Sequence, residues 1–179
     1  MATAVAFFRN LNLGQGWAPN RTQLEEAFAA TGATGVRSVR SNGTVVLTHP
    51  APARAAREVR TRLREVTGYD DVVVVRRAAW LRELVRHALT LGLPEDVPVE
   101  VAFFDAGPSL PVPLPWTSPD GRLRIVAGDG RHAVTTFHDD SGRGSNATVV
   151  LQELTGAHVT SRGLDTVRRV VDLLPGSFT

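Results

Sequence analysis

The stretch that decides the fold lies near the amino terminus, where residues 5–14 read VAFFRNLNLG. Its apolar run stops abruptly at Arg9, and asparagine, leucine and glycine come next. An unbroken apolar run of this kind predicts a buried strand, and the polar residues after it predict a loop ahead of a helix. Loops at strand ends often carry binding residues on a rigid scaffold. The sequence therefore places a candidate ligand site directly after the first strand.

Outward from this strand, the pattern over residues 1–76 predicts the order β-α-β-β-α-β. Strands are predicted at 3–8, 36–40, 44–48 and 71–76, with an amphipathic helix after the first and the third. Asn20, with Gln23 three residues later, predicts a capping box at the start of the first helix. Gly68 predicts the end of the second helix. This order is the ferredoxin-like arrangement, and we predict that it forms the first of two lobes.

The second lobe is predicted to span residues 77–179 and to pack on the first. Residues 101–104 repeat the letters VAFF of residues 5–8, which predicts an equivalent central strand. We expect a smaller β-sheet around it, followed by C-terminal helices. The proline-rich residues 107–119 favour an extended crossover along a sheet edge over a lid. The predicted fold class is therefore α+β, with two lobes.

The last helix is predicted to begin at Thr160 or Ser161, because either residue is a suitable N-cap. That start would put Arg162 in the first turn, where a positive charge opposes the helix dipole. We therefore expect the charge to be compensated, either by a bound anion or by a nearby acid such as Asp165.

Composition excludes several kinds of chemistry. The 179 residues contain no cysteine, and all 20 basic residues are arginine. Disulfides, thiolate nucleophiles, Schiff-base lysines and the P-loop lysine are therefore absent. A net charge of +2 does not by itself indicate nucleic acid. No apolar run approaches the ~20 residues of a membrane span, and the amino-terminal residues lack a signal-peptide pattern, so we expect no membrane and a cytoplasmic location.

Three segments together resemble one family. Residues 9–14 resemble a signature RGINVGG, residues 39–47 a segment YIQSGNVVF, and residues 160–167 a segment TTRNWNTV. In this order and spacing they are similar to the motifs of the bacterial family catalogued as domain of unknown function 1697. The resemblance implies a two-lobed α+β fold with a ferredoxin-like first part, and the family has no established biochemical role. The positions that match are Arg9, Asn12, Gly14, Ser41, Arg162 and Thr166.

The chain departs from the family pattern in all three motifs. Asn10 and Gln15 stand where the family has glycine, and Asn42-Gly43 inverts its usual Gly-Asn. Residues 163–165 replace Asn, Trp and Asn. If these positions carry a family activity, that activity is altered or lost in this chain.

The leading hypothesis is a site for a small anionic molecule between the lobes. Guanidinium groups from Arg9 and Arg162 would bind a carboxylate or a phosphate. The predicted ligand residues are Arg9, Asn12, Ser41, Asn42, Arg162 and Thr166. Arginine and asparagine side chains can also stabilise developing negative charge, so an enzyme fits this pattern. However, no nucleophile has a base and an acid at a telling spacing, and the pattern assigns no cofactor.

Two alternatives stay open. A nucleic-acid-binding module would use aromatic side chains on exposed strands, or the arginine-rich residues 54–64. It is less favoured, because Phe7 and Phe8 lie in an apolar run. A structural or interaction protein would instead tie Arg9 and Arg162 to internal acids.

The histidines give weaker signals. His132 and His138 flank a predicted strand and are candidate bases only by that position. His138 next to Asp139 and Asp140 makes a poor set of metal ligands, because adjacent residues alone rarely surround an ion. We therefore predict no metal site.

Overall fold

The computed structural model describes residues 1–107, 109–138 and 147–176. Over these residues the predicted α+β class is confirmed, since they form a four-stranded sheet, a five-stranded sheet and five helices. Asp139 and Asp140, which were weighed above as metal ligands beside His138, lie outside the described residues. The chain divides into two compact units, Met1–Arg82 with Arg169–Thr179, and Glu83–Arg168.

The first unit contains the ferredoxin-like arrangement. Its elements are β1 (Ala2–Phe8), α1 (Arg21–Ala29), β2 (Thr34–Val39), β3 (Thr44–His49), α2 (Pro52–Thr67) and β4 (Val73–Arg77). The strand order is β2-β3-β1-β4, and every neighbouring pair is antiparallel. Helix α3 (Ala78–Leu89) follows β4 directly. The predicted order β-α-β-β-α-β is therefore confirmed.

Local capping fixes the helices where the sequence predicted. The Asn20 side chain accepts a hydrogen bond from the Gln23 amide at 2.9 Å, and the Gln23 side chain accepts one from the Asn20 amide at 2.8 Å. This reciprocal pair satisfies two amides that the first turn of α1 would otherwise leave without partners. Gly68 ends α2 in the left-handed region, with φ of 75°.

The core of the first unit lies on the face of its sheet that α1 and α2 cover. Its largest fully buried members are Phe8, Leu24, Phe28, Leu47 and Tyr69. Phe8 meets Phe28 edge-on, with ring centroids 6.0 Å apart and planes at 83°. Burial of a side chain of this size stabilises the fold by about 1.5–3 kcal/mol. The end of β1 is thus anchored by Phe8 in the core on the helix-covered face of the sheet.

The second unit has its own sheet. Its remaining elements are β5 (Val99–Phe104), β6 (Trp116–Thr117), β7 (Leu123–Gly128), β8 (His132–Phe137), α4 (Ala147–Thr155), β9 (Val159–Gly163) and α5 (Leu164–Asp172). The strand order is β6-β7-β8-β5-β9, and all the pairs are antiparallel. The prediction that this sheet is the smaller one is wrong: among the described residues it has five strands against four in the first, because the two-residue β6 joins its edge. Trp116 and Thr117, near the end of the proline-rich stretch, thus lie along a sheet edge, and the crossover over the whole of residues 107–119 stays a prediction.

Strand β5 occupies the place in its sheet that β1 occupies in the first. Omitting β6, the second order β7-β8-β5-β9 repeats β2-β3-β1-β4. The Phe8 amide donates to Gly43 O at 2.9 Å, and the Phe104 amide donates to Arg131 O at 3.2 Å. The prediction of an equivalent central strand is therefore confirmed.

The repeat also includes the ends of α2 and α4, the helices that follow β3 and β8. Residues 63–68 read LREVTG and residues 151–156 read LQELTG. The Thr67 hydroxyl donates to Leu63 O at 2.7 Å, and the Thr155 hydroxyl donates to Leu151 O at 2.6 Å. A left-handed glycine follows each threonine. The two units are thus built on one plan.

The predicted start of the last helix is wrong. Thr160, Ser161 and Arg162 belong to β9, where they pair with residues 103, 102 and 101 of β5. Helix α5 begins only at Leu164. Threonine and serine suit an N-cap, but threonine also suits a half-buried strand, and here cross-strand packing decides. Arg162 therefore does not lie in the first turn of a helix. Its charge does not oppose the dipole of α5 in the way that the sequence suggested.

Candidate functional site

Arg9 follows β1 immediately and lies beside an acid of the loop before β4. Its Nη1 atom is 3.3 Å from Asp71 Oδ1, and each of the two side chains is 21% exposed. Asp71 also accepts hydrogen bonds from Asn10 Nδ2 at 2.8 Å and from the Val72 amide at 2.7 Å. Charge-assisted N–H···O bonds usually measure about 2.7–2.9 Å. Asp71 is therefore held mainly by Asn10 and Val72, and its contact with Arg9 is loose.

The loop after β1 is tied to the turn between β2 and β3. The Leu13 amide donates to Ser41 O at 2.7 Å. Gly43 lies under the loop with φ of 66°, and a Cβ at this position would come within 2.9 Å of Phe8 Cβ and 3.0 Å of Leu11 Cβ. Only glycine allows this close approach without a shift of its neighbours. The two segments that the sequence singled out are thus locked together at one end of the sheet.

Both of these segments carry backbone strain. Asn10 has φ of 52° and Arg40 has φ of 61°, and they are the only non-glycine residues with positive φ in the described parts of the chain. Asparagine tolerates this region better than most residues, but arginine has no such advantage. Strained residues cost about 1–3 kcal/mol each and cluster at functional sites. The strain therefore indicates this end of the first sheet as a candidate functional region.

Four of the six predicted ligand residues lie in the two segments that are tied together at this end. They are Arg9, Asn12, Ser41 and Asn42. Asn12 and Ser41 are exposed, whereas the Asn42 side chain accepts a hydrogen bond from the Thr44 hydroxyl at 2.8 Å inside the turn. Asn42 therefore shapes the turn at least as much as it offers a polar group to a ligand.

The other two predicted residues, Arg162 and Thr166, belong to the second unit. Arg162 is 7% exposed in β9, and its Nη1 atom donates to Thr160 Oγ1 at 2.9 Å and to Ser161 O at 2.7 Å. Asp165, the acid expected to compensate it, lies 3.8 Å from Arg168 instead. A site shared by Arg9 and Arg162, which lie in different units, stays a prediction.

The register of the two sheets gives Arg162 a counterpart other than Arg9. Arg162 pairs with Val101 of β5, and Arg76 pairs with Val5 of β1. The Arg76 guanidinium lies 5.5 Å from the centroid of the Trp80 ring. Arg162 thus corresponds to a sheet arginine of the first unit. The position that corresponds to Arg9 is an acid, Asp105.

Sequence reasoning missed an aromatic pair at the same end of the first sheet. Trp17 is 59% exposed, and its ring centroid lies 6.1 Å from that of Tyr69, with planes 30° apart. The Tyr69 hydroxyl donates to Arg9 O at 2.7 Å. The sequence shows only a tryptophan within a loop rich in asparagine and glycine, and a single exposed apolar residue is ordinary on a protein surface, so this signal is weak.

A cavity of 750 Å³ in the second unit does not include the Arg9 segment or Arg162. It lies between the end of α3, residues 92–100 and the start of α5. Its ionisable lining residues are Glu95, Asp96, Glu100, Asp165 and Arg168. Four carboxylates against one guanidinium make it unfavourable for an anion.

His132, a candidate base by position, is part of a hairpin turn. Its Nδ1 atom lies 2.9 Å from Asp129 Oδ1. Burial raises the pKa of Asp129, but hydrogen bonds from the Arg131 amide and the His132 ring outweigh it, so that pKa lies below its ordinary value. This pair closes the turn between β7 and β8. A structural role in the turn therefore explains the position of His132, and no catalytic role is needed.

Two other kinds of feature are missing from the described residues. No group of three or more histidines, aspartates or glutamates is placed to hold a metal ion among them. Within the same ranges, no helix has both the length and the apolar character that crossing a membrane requires.

Comparison with known proteins supports the sequence resemblance. The chain is similar to a conserved bacterial protein of Streptococcus pneumoniae whose structure is solved, with a TM-score of 0.68 and 14% identity over 96% of this chain and 98% of that chain. At this identity the likeness shows the fold alone. No curated protein matches the sequence. The family described as "Protein of unknown function (DUF1697)" matches residues 1–110, which is more than half of the chain, and the protein therefore belongs to that family.

Proposed function

We propose that the protein binds a small anionic molecule, bearing a carboxylate or a phosphate, where β1 ends. We call this place the Arg9 site and define it by Arg9, Asn10, Asn12, Ser41 and Asp71. The observation that carries the proposal is the placement of Arg9. Its side chain is about four-fifths buried where β1 ends, next to two loops that hold the positive-φ residues Asn10 and Arg40.

The chemistry of the Arg9 site suits an anion. A guanidinium presents a planar fork of donors that matches carboxylate and phosphate oxygens. Asp71 orients Arg9, but shorter bonds from Asn10 and Val72 already satisfy its oxygens. Asp71 therefore keeps two hydrogen-bond donors of its own if the Arg9 guanidinium turns toward an anion. Partial burial strengthens such bonds relative to the same contact in water.

The competing structural function has one observation in its favour, which is the Arg9–Asp71 contact itself. Fewer observations favour the nucleic-acid alternative. Phe7 and Phe8 are fully buried, so β1 offers no ring on which a base could stack. On α2, Arg54 pairs with Glu58, while Arg60 and Arg64 both pair with Asp70.

Titration of the full chain with inorganic phosphate and with succinate, followed by calorimetry, tests the proposal. We expect Arg9→Ala to weaken binding of the better probe about tenfold or more, because a hydrogen bond to a charged group contributes about 1.5–3 kcal/mol. The melting temperature should fall by no more than about 5 °C, since the shorter bonds from Asn10 and Val72 still hold Asp71 when the guanidinium is removed. Arg57→Ala, an exposed arginine on α2, is the matched control and should change neither quantity.

Unchanged binding in Arg9→Ala would refute the proposal. Failure of the wild-type chain to bind either probe, together with a large loss of stability in Arg9→Ala, would favour the structural function. Arg162 and Thr166 stay predicted ligand residues. Arg162→Gln in the same titration tests them separately, because glutamine can still donate a hydrogen bond to Thr160.

A further inference from the structure

We propose that the anion bound at the Arg9 site is attached to a planar aromatic ring, and that this ring stacks on Trp17. The inference rests on the proposed function and names its class of ligand. Trp17 stands in the loop after Arg9, and 59% of its surface is exposed. The described residues include other exposed apolar side chains, but Trp17 is the largest of them.

The indole is supported from one side. Its ring lies 6.1 Å from the ring of Tyr69 with planes 30° apart, a tilted contact within the distance range of aromatic pairs. Tyr69 is 2% exposed and lies 6.0 Å from the core ring of Phe8. A row of three aromatic rings therefore leads from the core to the surface and ends on an indole that is more than half exposed.

Tyr69 connects this row to the anion site. Its hydroxyl donates to Arg9 O at 2.7 Å, and Val72 O lies 3.2 Å from the same hydroxyl as a second acceptor. The first acceptor is the main chain of the residue that we propose binds the anion, and the second belongs to the residue whose amide holds Asp71. The ring platform and the guanidinium are thus fixed to the same short piece of backbone. A ligand with an aromatic ring and an anionic group is the class that uses both.

The physical benefit of the ring lies in covering the exposed indole. Stacking of a base on an aromatic side chain is tolerant of ring identity, because every base has a π-face. Its typical strength corresponds to an affinity gain of about tenfold or more. We therefore expect a nucleoside monophosphate to bind more tightly than inorganic phosphate by at least that factor.

The test compares three probes on the full chain: adenosine 5′-monophosphate, adenosine and inorganic phosphate. The nucleotide should bind at least about tenfold more tightly than either part alone. Trp17→Ala should remove this advantage and leave phosphate binding unchanged, whereas Trp17→Phe should keep part of it. Val66→Ala, at an exposed apolar residue on α2, is the control and should have no effect. The nucleotide should also quench a fluorescence component that is missing in Trp17→Phe.

The outcomes separate this inference from the proposed function. If phosphate binds through Arg9 and the nucleotide binds no tighter, the aromatic inference is overturned and the proposed function stands. If adenosine binds through Trp17 and its phosphate adds no affinity, Trp17 stacks on a ring but the anion proposal falls, and the aromatic anion inferred here falls with it. If a ten-nucleotide oligoadenylate binds far more tightly than the mononucleotide, with a steep salt dependence, the assignment to a small molecule is overturned.

Discussion

The ends of β1 and β5 are the most informative regions to compare. After the strands, the Arg9 amide donates to Val72 O at 3.0 Å and the Asp105 amide donates to His158 O at 3.1 Å, so the backbone is equivalent at this point. The side chains differ in kind. Asp105 accepts hydrogen bonds from the amides of Ala106 and His158 and thereby closes its own loop. The first unit has a guanidinium there, beside strained loops. The shared features make the fold, and the candidate site lies where the units differ.

The units also differ in the segment that comes after the equivalent strands. In the first, a loop leads to the capped helix α1, and in the second, the proline-rich stretch leads to the short edge strand β6. Leu110, Leu114 and Trp116 of that stretch pack against the core of the second unit. One strand order can therefore be completed either by a helix or by an extended segment. Among the described residues only the first unit has two strained loops tied together at this end.

The largest effect is expected from truncating the equivalent core phenylalanines of the two units, which tests whether the two strands contribute equally. Phe8 is fully buried and Phe104 is 1% exposed. We expect Phe8→Ala and Phe104→Ala each to lower the free energy of unfolding by about 3–5 kcal/mol, because each leaves a cavity in a packed core. Urea unfolding followed by circular dichroism measures both losses. A loss below about 1 kcal/mol at either position would contradict the equivalence of the two strands.

The next effect concerns the close approach between the β2–β3 turn and the loop after β1. We expect Gly43→Ala to destabilise the protein by about 2–4 kcal/mol, because it combines left-handed strain with a Cβ only 2.9 Å from Phe8 Cβ. Gly68→Ala is the matched control, since Gly68 has φ of 75° and a Cβ added there would meet nothing within 4 Å. It should cost about 1–2 kcal/mol, from strain alone. Equal losses in urea unfolding would show that the loop after β1 yields easily and is not locked to the turn.

The sequence predicted the first unit well because its signals are local. Asn20 and Gln23 cap a helix within four residues, and Gly68 ends one by its own conformation. The same signals misled at residues 160–163, where threonine and serine before a helix resemble a cap. Only pairing with β5, more than 50 residues away, makes this segment a strand. Such pairing cannot be read from local pattern.

The candidate site likewise has one part that local sequence predicts and one part that depends on residues far apart in the chain. The sequence placed Arg9, Asn12, Ser41 and Asn42 at element ends, and the structure brings these ends together. The contribution of Trp17 depends on its contact with Tyr69, a residue far along the chain, so no local pattern could have indicated that contact. The repeat of LREVTG and LQELTG was present in the sequence and would have indicated the common plan of the two units.

The smallest expected effect distinguishes the two hairpin turns by pH. In the second unit Asp129 accepts hydrogen bonds from Arg131 and His132, and its pKa lies below the ordinary value. The matching turn of the first unit, residues 40–43, contains no carboxylate. A lowered pKa means that Asp129 stabilises the fold above about pH 4 and that this contribution is lost as the pH falls through the lowered pKa. Because its side chain is 53% exposed, the contribution should stay below about 1 kcal/mol. Asp129→Asn should therefore be slightly less stable than the wild type at pH 7 in urea unfolding, and the difference should vanish near pH 2. A difference that grows on acidification would show that Asp129 does not stabilise this turn as a carboxylate.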